Sequence, residues 1–489
     1  MENKRKLGLG EKCSYGLGAI AKDMVYMLSA SYVLYYFQDI LGVSAAAMGI
    51  ILLGARIFDA FNDPIMGVIV AKTKTKMGKF RPWLLIGTLT NAVVLFLMFA
   101  APPKMNAGGL VAYAAITYVM WGVTYTMMDI PYWSMIPAFT EGGKERENLT
   151  TLARSCSGVG SAIITVITMI CVQKLGTAFA ASNASAKEIE RIGFKWFTLA
   201  VAVIFVIFEV ICVVSIKEKS TVNMKTASVK DMFSALVHND QAMAIVITIV
   251  LINCSIYLTS NLVIYFFKYD FGGQSWYNGY TLFNTFGGAM QILSMMVLYP
   301  ILRNACKLNS RKIFYISLIM AVLGYISLFA LTFTKMGNVY VLFIPGFFIF
   351  AANGMFTILT TVFLANTVDY GELKNGRRDE SVIFSMQTFV VKLASGVSIF
   401  IASMALQILN LNNSTISEAE KVVDFSAAVS QSAKLGLRMT MVLIPVIGLI
   451  VAFIFFKKKY ILTDEKLAEI SEELKKKHAL AESSESSEK

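Results

Sequence analysis

Only two histidines, His238 and His478, occur in 489 residues, and both fall outside the apolar runs. That excludes a histidine-based proton relay within a membrane. There is no GxxxxGK[ST] loop to cradle nucleotide phosphates, no Ser/His/Asp constellation and no clustering of metal ligands. An ATP-driven pump and an intramembrane hydrolase are therefore unsupported, and no enzymatic activity is expected. Charge is scarce as well: 16% of the residues are charged against 56% hydrophobic, which excludes a water-soluble fold. Of the six cysteines, Cys156, Cys171, Cys212 and Cys254 lie in apolar runs, while Cys13 and Cys306 lie on the side assigned below to the cytoplasm. No disulfide framework is implied. The opening MENKRKLGLGEKCSYG leads straight into an apolar run without a small-residue cleavage site, so the first helix is expected to stay.

What the sequence has in abundance is apolar length. A span needs roughly 20 apolar residues. Twelve candidates run at about 15–40, 44–71, 82–101, 107–138, 148–173, 195–216, 242–267, 276–302, 311–333, 338–367, 381–410 and 435–456. The expected organisation is an N-terminal six-helix half (1–216), a central loop (217–241), a C-terminal six-helix half (242–456) and a tail (457–489). The tail reads as one short amphipathic helix before a Ser/Glu-rich end, with a role in solubility or membrane-surface contact. The net charge of +12 does not point to nucleic acid, because of where it sits. Of 44 Lys and Arg, 30 fall in the N-terminus, the tail and the even-numbered loops, 10 in the odd-numbered loops and four inside spans. This asymmetry places both termini in the cytoplasm of a bacterial-type inner membrane, with lipid contact as a secondary consequence. GVIVAKTKTKMGKFRP after the second span and YPILRNACKLNSRKIF after the eighth echo one another. The fold class is thus an all-α integral membrane protein of two pseudo-symmetric six-helix halves, the major facilitator arrangement, with a substrate site near the bilayer midplane.

Charges inside the spans carry the functional reading. In RIFDAFNDPIMG, Arg56, Asp59 and Asp63 are spaced by three and four and form one stripe of a helix. A lone charge in hydrocarbon costs at least about 2.5 kcal/mol, so the stripe must face protein or water. Lys22, Asp23, Asp129, Arg154, Glu209 and Lys392 are the other intramembrane charges. Lys22, Arg56 and Glu209 read as members of structural ion pairs, Glu209 alternatively as a headgroup contact. Asp59 and Asp63, about 6 Å apart along the helix, would repel if both were ionised and unpaired. Binding Na⁺, Li⁺ or H⁺ relieves that repulsion, and oxygen ligands suit a hard cation. In WGVTYTMMDIPYW, Thr126, Asp129 and Trp133 share a face, and Pro131 is expected to kink the helix and free a carbonyl. An indole beside carboxylates and a guanidinium suits a sugar, whose CH face stacks on the ring while Asp23, Asp129 and Arg154 meet its hydroxyls.

Together, ARIFDAFNDPIMG, KFRPW, WGVTYTMMDIPYWSMIP, KEREN, NTVDYGE and SMQTFVVK resemble the glycoside-pentoside-hexuronide cation symporters, and among them the bacterial melibiose carriers, over nearly the whole chain. The resemblance implies a cation site, with the metal ion on Asp59 and Asp63 and with Thr126 and Asp129 beside them. It implies sugar contacts from Asp23, Asp129, Trp133, Arg154, Gln387 and Thr388, and coupling through Lys392 and Arg56. Asp369, Glu372 and Arg378 are implied in a cytoplasmic gate, together with loop 72–81. The partners implied are a glycoside such as the α-galactoside melibiose and one of Na⁺, Li⁺ or H⁺, which is transported and is no resident cofactor. Other substrates of the same fold, a β-galactoside, pentoside or hexuronide, and a non-transporting sugar sensor are the alternatives. Two positions depart from the melibiose carriers: Phe356 and Thr357 stand where those have a tryptophan, and Asn366 where they have an acid.

Overall fold

A computed structural model describes residues 7–103, 105–136, 143–216, 234, 237–273, 275–331, 333–334, 338–375, 380–411, 425–470, 472–474 and 476. Twelve long helices order the described residues: α1 Leu9–Tyr35, α2 Ala45–Lys72, α3 Arg81–Met98, α4 Ala107–Ser134, α5 Gly143–Phe179, α6 Ala186–Ser215, α7 Asp240–Phe266, α8 Trp276–Leu293, α9 Ser310–Leu331, α10 Phe343–Asn375, α11 Glu380–Ile408 and α12 Gln431–Lys459. Eleven helical stretches among the described residues are long and apolar enough to cross a membrane. The exception is α1, diluted by Glu11, Lys12, Lys22 and Asp23. Starts are marked by side chains that satisfy the first amide groups: Ser44 accepts from Ala47 N–H at 3.2 Å, Asn106 from Gly109 N–H at 2.7 Å and Ser185 from Glu188 N–H at 3.3 Å.

The chain forms two compact units, and these cut across the sequential halves. The first comprises Met1–Thr226, Ile264–Thr285 and Ile399–Leu437, the second Ala227–Val263, Phe286–Ser398 and Arg438–Lys489. In the first unit, helices meet backbone to backbone through glycine. Gly160 of α5 lies on the Ile20 carbonyl of α1, and Gly176 and Gly193 bring α5 and α6 together at Ile189 and Val172. Lipid offers no hydrophobic drive between helices, so such close approach supplies the packing energy. Asn91 of α3 adds polar glue, donating to Trp121 O at 3.1 Å and Thr124 Oγ1 at 2.9 Å on α4. Helix α4 runs through Pro131 without a break, and Met135 N–H donates to the Pro131 carbonyl at 2.9 Å.

Helices α1 and α7 end alike. Each runs 27 residues and passes into a five-residue π-helical turn, Tyr36–Ile40 and Phe267–Phe271. Each turn is closed by a bond to the fifth residue back, Leu41 N–H to Tyr36 O and Gly272 N–H to Phe267 O, both 3.0 Å. Glycines at φ 77° (Gly42) and 74° (Gly272) then redirect the chain through a conformation other residues resist. The sequences match too, VLYYFQDILG at 33–42 and VIYFFKYDFG at 263–272.

In the second unit the start of the tail is docked by one face, while Ile461 and residues 464–466 are exposed. Tyr460 is buried, its ring 4.8 Å from Phe456 and 5.2 Å from Phe363, and Leu462, Ile470 and Leu474 are buried as well. Arg311 of α9 donates to the Tyr460 carbonyl, and Gln241 of α7 accepts from Ile461 N–H at 3.0 Å.

Candidate functional site

The site is assembled on α1, α2, α4 and α5 within the first unit. Tyr15 of α1 and Tyr132 of α4 fasten two of these helices: each hydroxyl donates to the other residue's carbonyl at 2.6 Å, and the rings stack at 4.4 Å. Two turns along α1 from that clamp is Lys22, and one turn back along α4 is Asp129. Their ammonium and carboxylate groups are 2.6 Å apart, with Asp23 at 3.4 Å and the Tyr125 hydroxyl at 3.2 Å. Trp133 Nε1 donates to the same Asp129 oxygen at 3.1 Å. The Lys22 ammonium lies 5.1 Å from the indole centroid, and the Arg154 guanidinium from α5 stacks on that ring at 4.0 Å. Asp23, Asp129, Trp133 and Arg154, expected together from sequence, are thus brought together.

Beside this cluster, α2 and α4 meet in two rungs. In the first, Gly122 receives Asp59: a Cβ at position 122 would stand 2.6 Å from Asp59 Oδ1. One turn further on both helices, Thr126 Oγ1 donates to Asp63 Oδ1 at 3.0 Å. Arg56, buried, reaches Asp59 Oδ2 at 3.5 Å. The expected grouping of Arg56, Asp59, Asp63 and Thr126 is present, while Asp129 turns to Lys22. No group of three or more His, Cys, Asp and Glu arranged to hold a metal ion occurs among the described residues. The rungs offer two carboxylates and a hydroxyl, oxygen donors of the kind a hard cation takes.

Lys392 lies half-buried on α11 in the second unit. The side chains of Gln387 and Thr388, and Arg378 altogether, fall outside the described residues. Asp369 and Glu372 are half-buried near the end of α10. The polar joint around them ties α10 to the start of α7: Lys374 pairs with Asp240 at 2.5 Å, and Asn239 donates to Thr367 O at 2.8 Å. In the first unit the 72–81 loop is anchored at both ends, Trp83 Nε1 donating to Thr73 Oγ1 at 2.7 Å and Arg81 Nε to Val213 O at 2.8 Å. Glu209 is fully buried on α6 against Gly18, and neither oxygen has a hydrogen-bond partner among the described residues.

Sequence reasoning undervalued Lys22, which proves to be the hub of the carboxylate–indole cluster. Its signal was a lysine next to an aspartate within an apolar run. Gly122 was missed altogether; its only signal is a spacing of one helical turn before Thr126.

Helices of this number and length, carrying buried charges on their facing sides, define a multi-pass membrane carrier rather than an enzyme. The family model described as MFS/sugar transport protein matches residues 14–463, and the chain belongs to that family of sugar transporters. It is 27% identical over 488 residues to the uncharacterized symporter YjmB of Bacillus subtilis, covering 98% of this chain and 97% of that one. It is 27% identical to the raffinose carrier protein of Pediococcus pentosaceus (96% and 72% covered) and 26% identical to the isoprimeverose transporter of Lactiplantibacillus pentosus (98% and 95%). Among solved structures, an inward-facing bacterial homolog of the human lysosomal transporter Spinster shares the fold with a TM-score of 0.64 at 12% identity, covering 94% of this chain and 97% of that one. A D-xylose-proton symporter gives 0.57 at 12% identity, over 92% and 97%.

Proposed function

We propose that the chain is a cation-coupled symporter of a bacterial inner membrane, with both termini in the cytoplasm, importing a glycoside, foremost an α-galactoside such as melibiose or raffinose. The observation that carries this reading is the adjacency of two chemistries on α4: Gly122 and Thr126 meet the Asp59/Asp63 carboxylates, and Asp129 and Trp133 meet Lys22 and Arg154. A cation held by Asp59, Asp63 and Thr126 takes over from Arg56 as the countercharge of Asp59. The glycoside takes Asp129 from Lys22 and a face of Trp133 from Arg154, and it meets Asp23 where that carboxylate stands beside the lysine and keeps it paired. Both ligands therefore act on one helix, and each alters the partners of the other's site, which is the condition for coupling. Lys392, Gln387 and Thr388 are assigned to coupling and sugar contact on family resemblance alone, as are Asp369, Glu372 and Arg378 to the cytoplasmic gate.

Uptake of radiolabelled melibiose, raffinose, lactose and isoprimeverose into proteoliposomes, with and without an inward Na⁺ gradient, tests this. Accumulation of an α-galactoside above equilibrium that collapses without Na⁺ is the expected result. Accumulation driven by H⁺ or Li⁺ alone reassigns the cation, and accumulation of isoprimeverose alone moves the substrate to the pentosides. Absence of uptake for every sugar under every gradient would overturn the reading.

A further inference from the structure

A second buried lysine lies far from the site. Lys268, in the π-helical turn after α7, has its ammonium 2.5 Å from Asp39 Oδ2, 2.8 Å from the Tyr35 hydroxyl and 3.7 Å from Glu190 Oε2. The other carboxylate oxygens are satisfied too. Tyr269 donates to Asp39 Oδ1, Gln173 of α5 donates to Glu190 Oε1 at 3.0 Å, and the Tyr35 hydroxyl donates to Glu190 Oε2 at 2.7 Å. Four rings enclose the lysine: Phe425 at 4.5 Å, Tyr35 at 4.9 Å, Trp276 at 5.6 Å and Tyr269 at 5.8 Å from the ammonium. Lys268, Asp39 and Glu190 are each no more than 3% exposed. All these residues belong to the first unit. They come from the ends of α1 and α7, the starts of α6 and α8, the far part of α5 and the short turn before α12. Lys22 lies 13 residues back along α1 from Tyr35, about 20 Å by helical rise, so this cluster is separate from the site.

We propose that Lys268 is the pin of a charged latch that closes the end of the first unit remote from residue 9, and that the latch must part for glycoside to enter from that side. The physical ground is what such a cluster does better than an apolar plug. A plug of leucines and phenylalanines would lose its whole hydrophobic gain on opening, holding the end shut. A fully satisfied buried ion cluster is nearly balanced against hydration of the same ions, because their desolvation cost offsets most of their mutual attraction. Closed, every donor and acceptor is met; open, water meets them instead. Two arrangements of similar free energy make a switch. Removing only the lysine upsets the balance in one direction, since two dry carboxylates then face each other without a cation and only the wet arrangement relieves them.

The inference rests on the carrier reading, and its test does not depend on transport. Tyr26→Cys, on α1 between the latch and Lys22, is introduced as the single thiol of a full-length chain whose six native cysteines are replaced. A membrane-impermeant maleimide is applied in vesicles from the side remote from the N-terminus. Lys268→Met is expected to be labelled about tenfold faster than the parent, as befits a shift of the open population, and Lys268→Arg at close to the parental rate. Asp39→Asn provides the second variant: it strips the pin of its nearest acceptor and is expected to speed labelling whether or not Lys268→Met accumulates in the membrane. Parental labelling rates in either folded neutral variant would overturn the latch. Loss of sugar uptake in the parent, with the labelling difference intact, would overturn the carrier reading alone.

Discussion

The Lys22 ammonium and the Asp129 carboxylate, 107 residues apart in sequence, stand 2.6 Å from one another, and their exposures are unequal: 4% of the lysine side chain but 28% of the aspartate side chain is accessible. The asymmetry makes the pair directional. Asp129 can exchange its partner for a ligand or water, whereas Lys22 cannot be left alone.

Replacing the two partners singly should therefore have different consequences. Asp129→Asn leaves a buried ammonium with Asp23 at 3.4 Å and the neutral Tyr125 hydroxyl at 3.2 Å, and is expected to destabilise the protein by about 3 kcal/mol. Lys22→Met leaves a carboxylate that water can reach and should cost about 1 kcal/mol or less. Thermal unfolding of both variants in the same detergent decides it; equal losses would show that the pair is not directional.

Gly122→Ala tests the first rung. A Cβ there stands 2.6 Å from Asp59 Oδ1, so the carboxylate must shift, and a displaced ligand should raise the Na⁺ concentration for half-maximal uptake about tenfold. Glycoside binding measured without Na⁺ should barely change. A parental Na⁺ dependence would remove Asp59 from the proposed cation site.

At the second rung, Thr126→Val keeps the shape but deletes the hydroxyl that Asp63 accepts from. Losing one such bond to a charged group is worth about 1.5–3 kcal/mol, or roughly ten- to a hundredfold in apparent Na⁺ affinity. Thr126→Ser should recover most of it. If valine and serine behave alike in sodium titrations, the hydroxyl plays no part.

The indole separates ring from polar tip. Trp133→Phe retains an aromatic face but loses the donor to Asp129 at 3.1 Å, and about a tenfold fall in glycoside affinity is expected. Trp133→Ala should lose a further tenfold or so by removing the face itself. Equilibrium binding of labelled sugar measures both, and equal losses would place all the effect in the hydrogen bond.

Outside the site, the docked tail makes its own prediction. Tyr460 is 1% exposed and packed among Phe363 and Phe456, so Tyr460→Ala should cost about 3–5 kcal/mol, and Tyr460→Phe little. Differential scanning of the purified variants would reveal a free tail if alanine were silent.

The helices and the charge stripe were readable from sequence because both follow from period and composition along one segment. Asp59 and Asp63 share a face whatever lies opposite, and apolar length marks a span by itself. Partnerships across helices are of another kind. Lys268 meets Asp39 from 229 positions away, and nothing local distinguishes that lysine from one that reaches toward headgroups at a span end. Gly122 announces nothing until a carboxylate is found against it. The tail reads as a surface helix because its charges alternate with apolar residues, yet Leu462 is buried and Tyr460 is covered by α9, α10 and α12 neighbours that no window of sequence contains. The echo after the second and eighth spans is faint; a stronger one, VLYYFQDILG against VIYFFKYDFG, begins in the last turn of the first and seventh helices.

That stronger echo concerns aim. A π-helical turn holds one residue more than the α-helical path requires, and each added residue swings whatever follows by about 100°. Both copies keep the surplus residue and the glycine after it, while the cargo differs: Gln38 corresponds to Lys268, and Asp39 to Tyr269. Gln38, Asp39, Lys268 and Tyr269 are all buried, so one backbone device turns neutral, acidic, basic and aromatic side chains alike into the protein, and the charge set there is decided by side-chain identity alone.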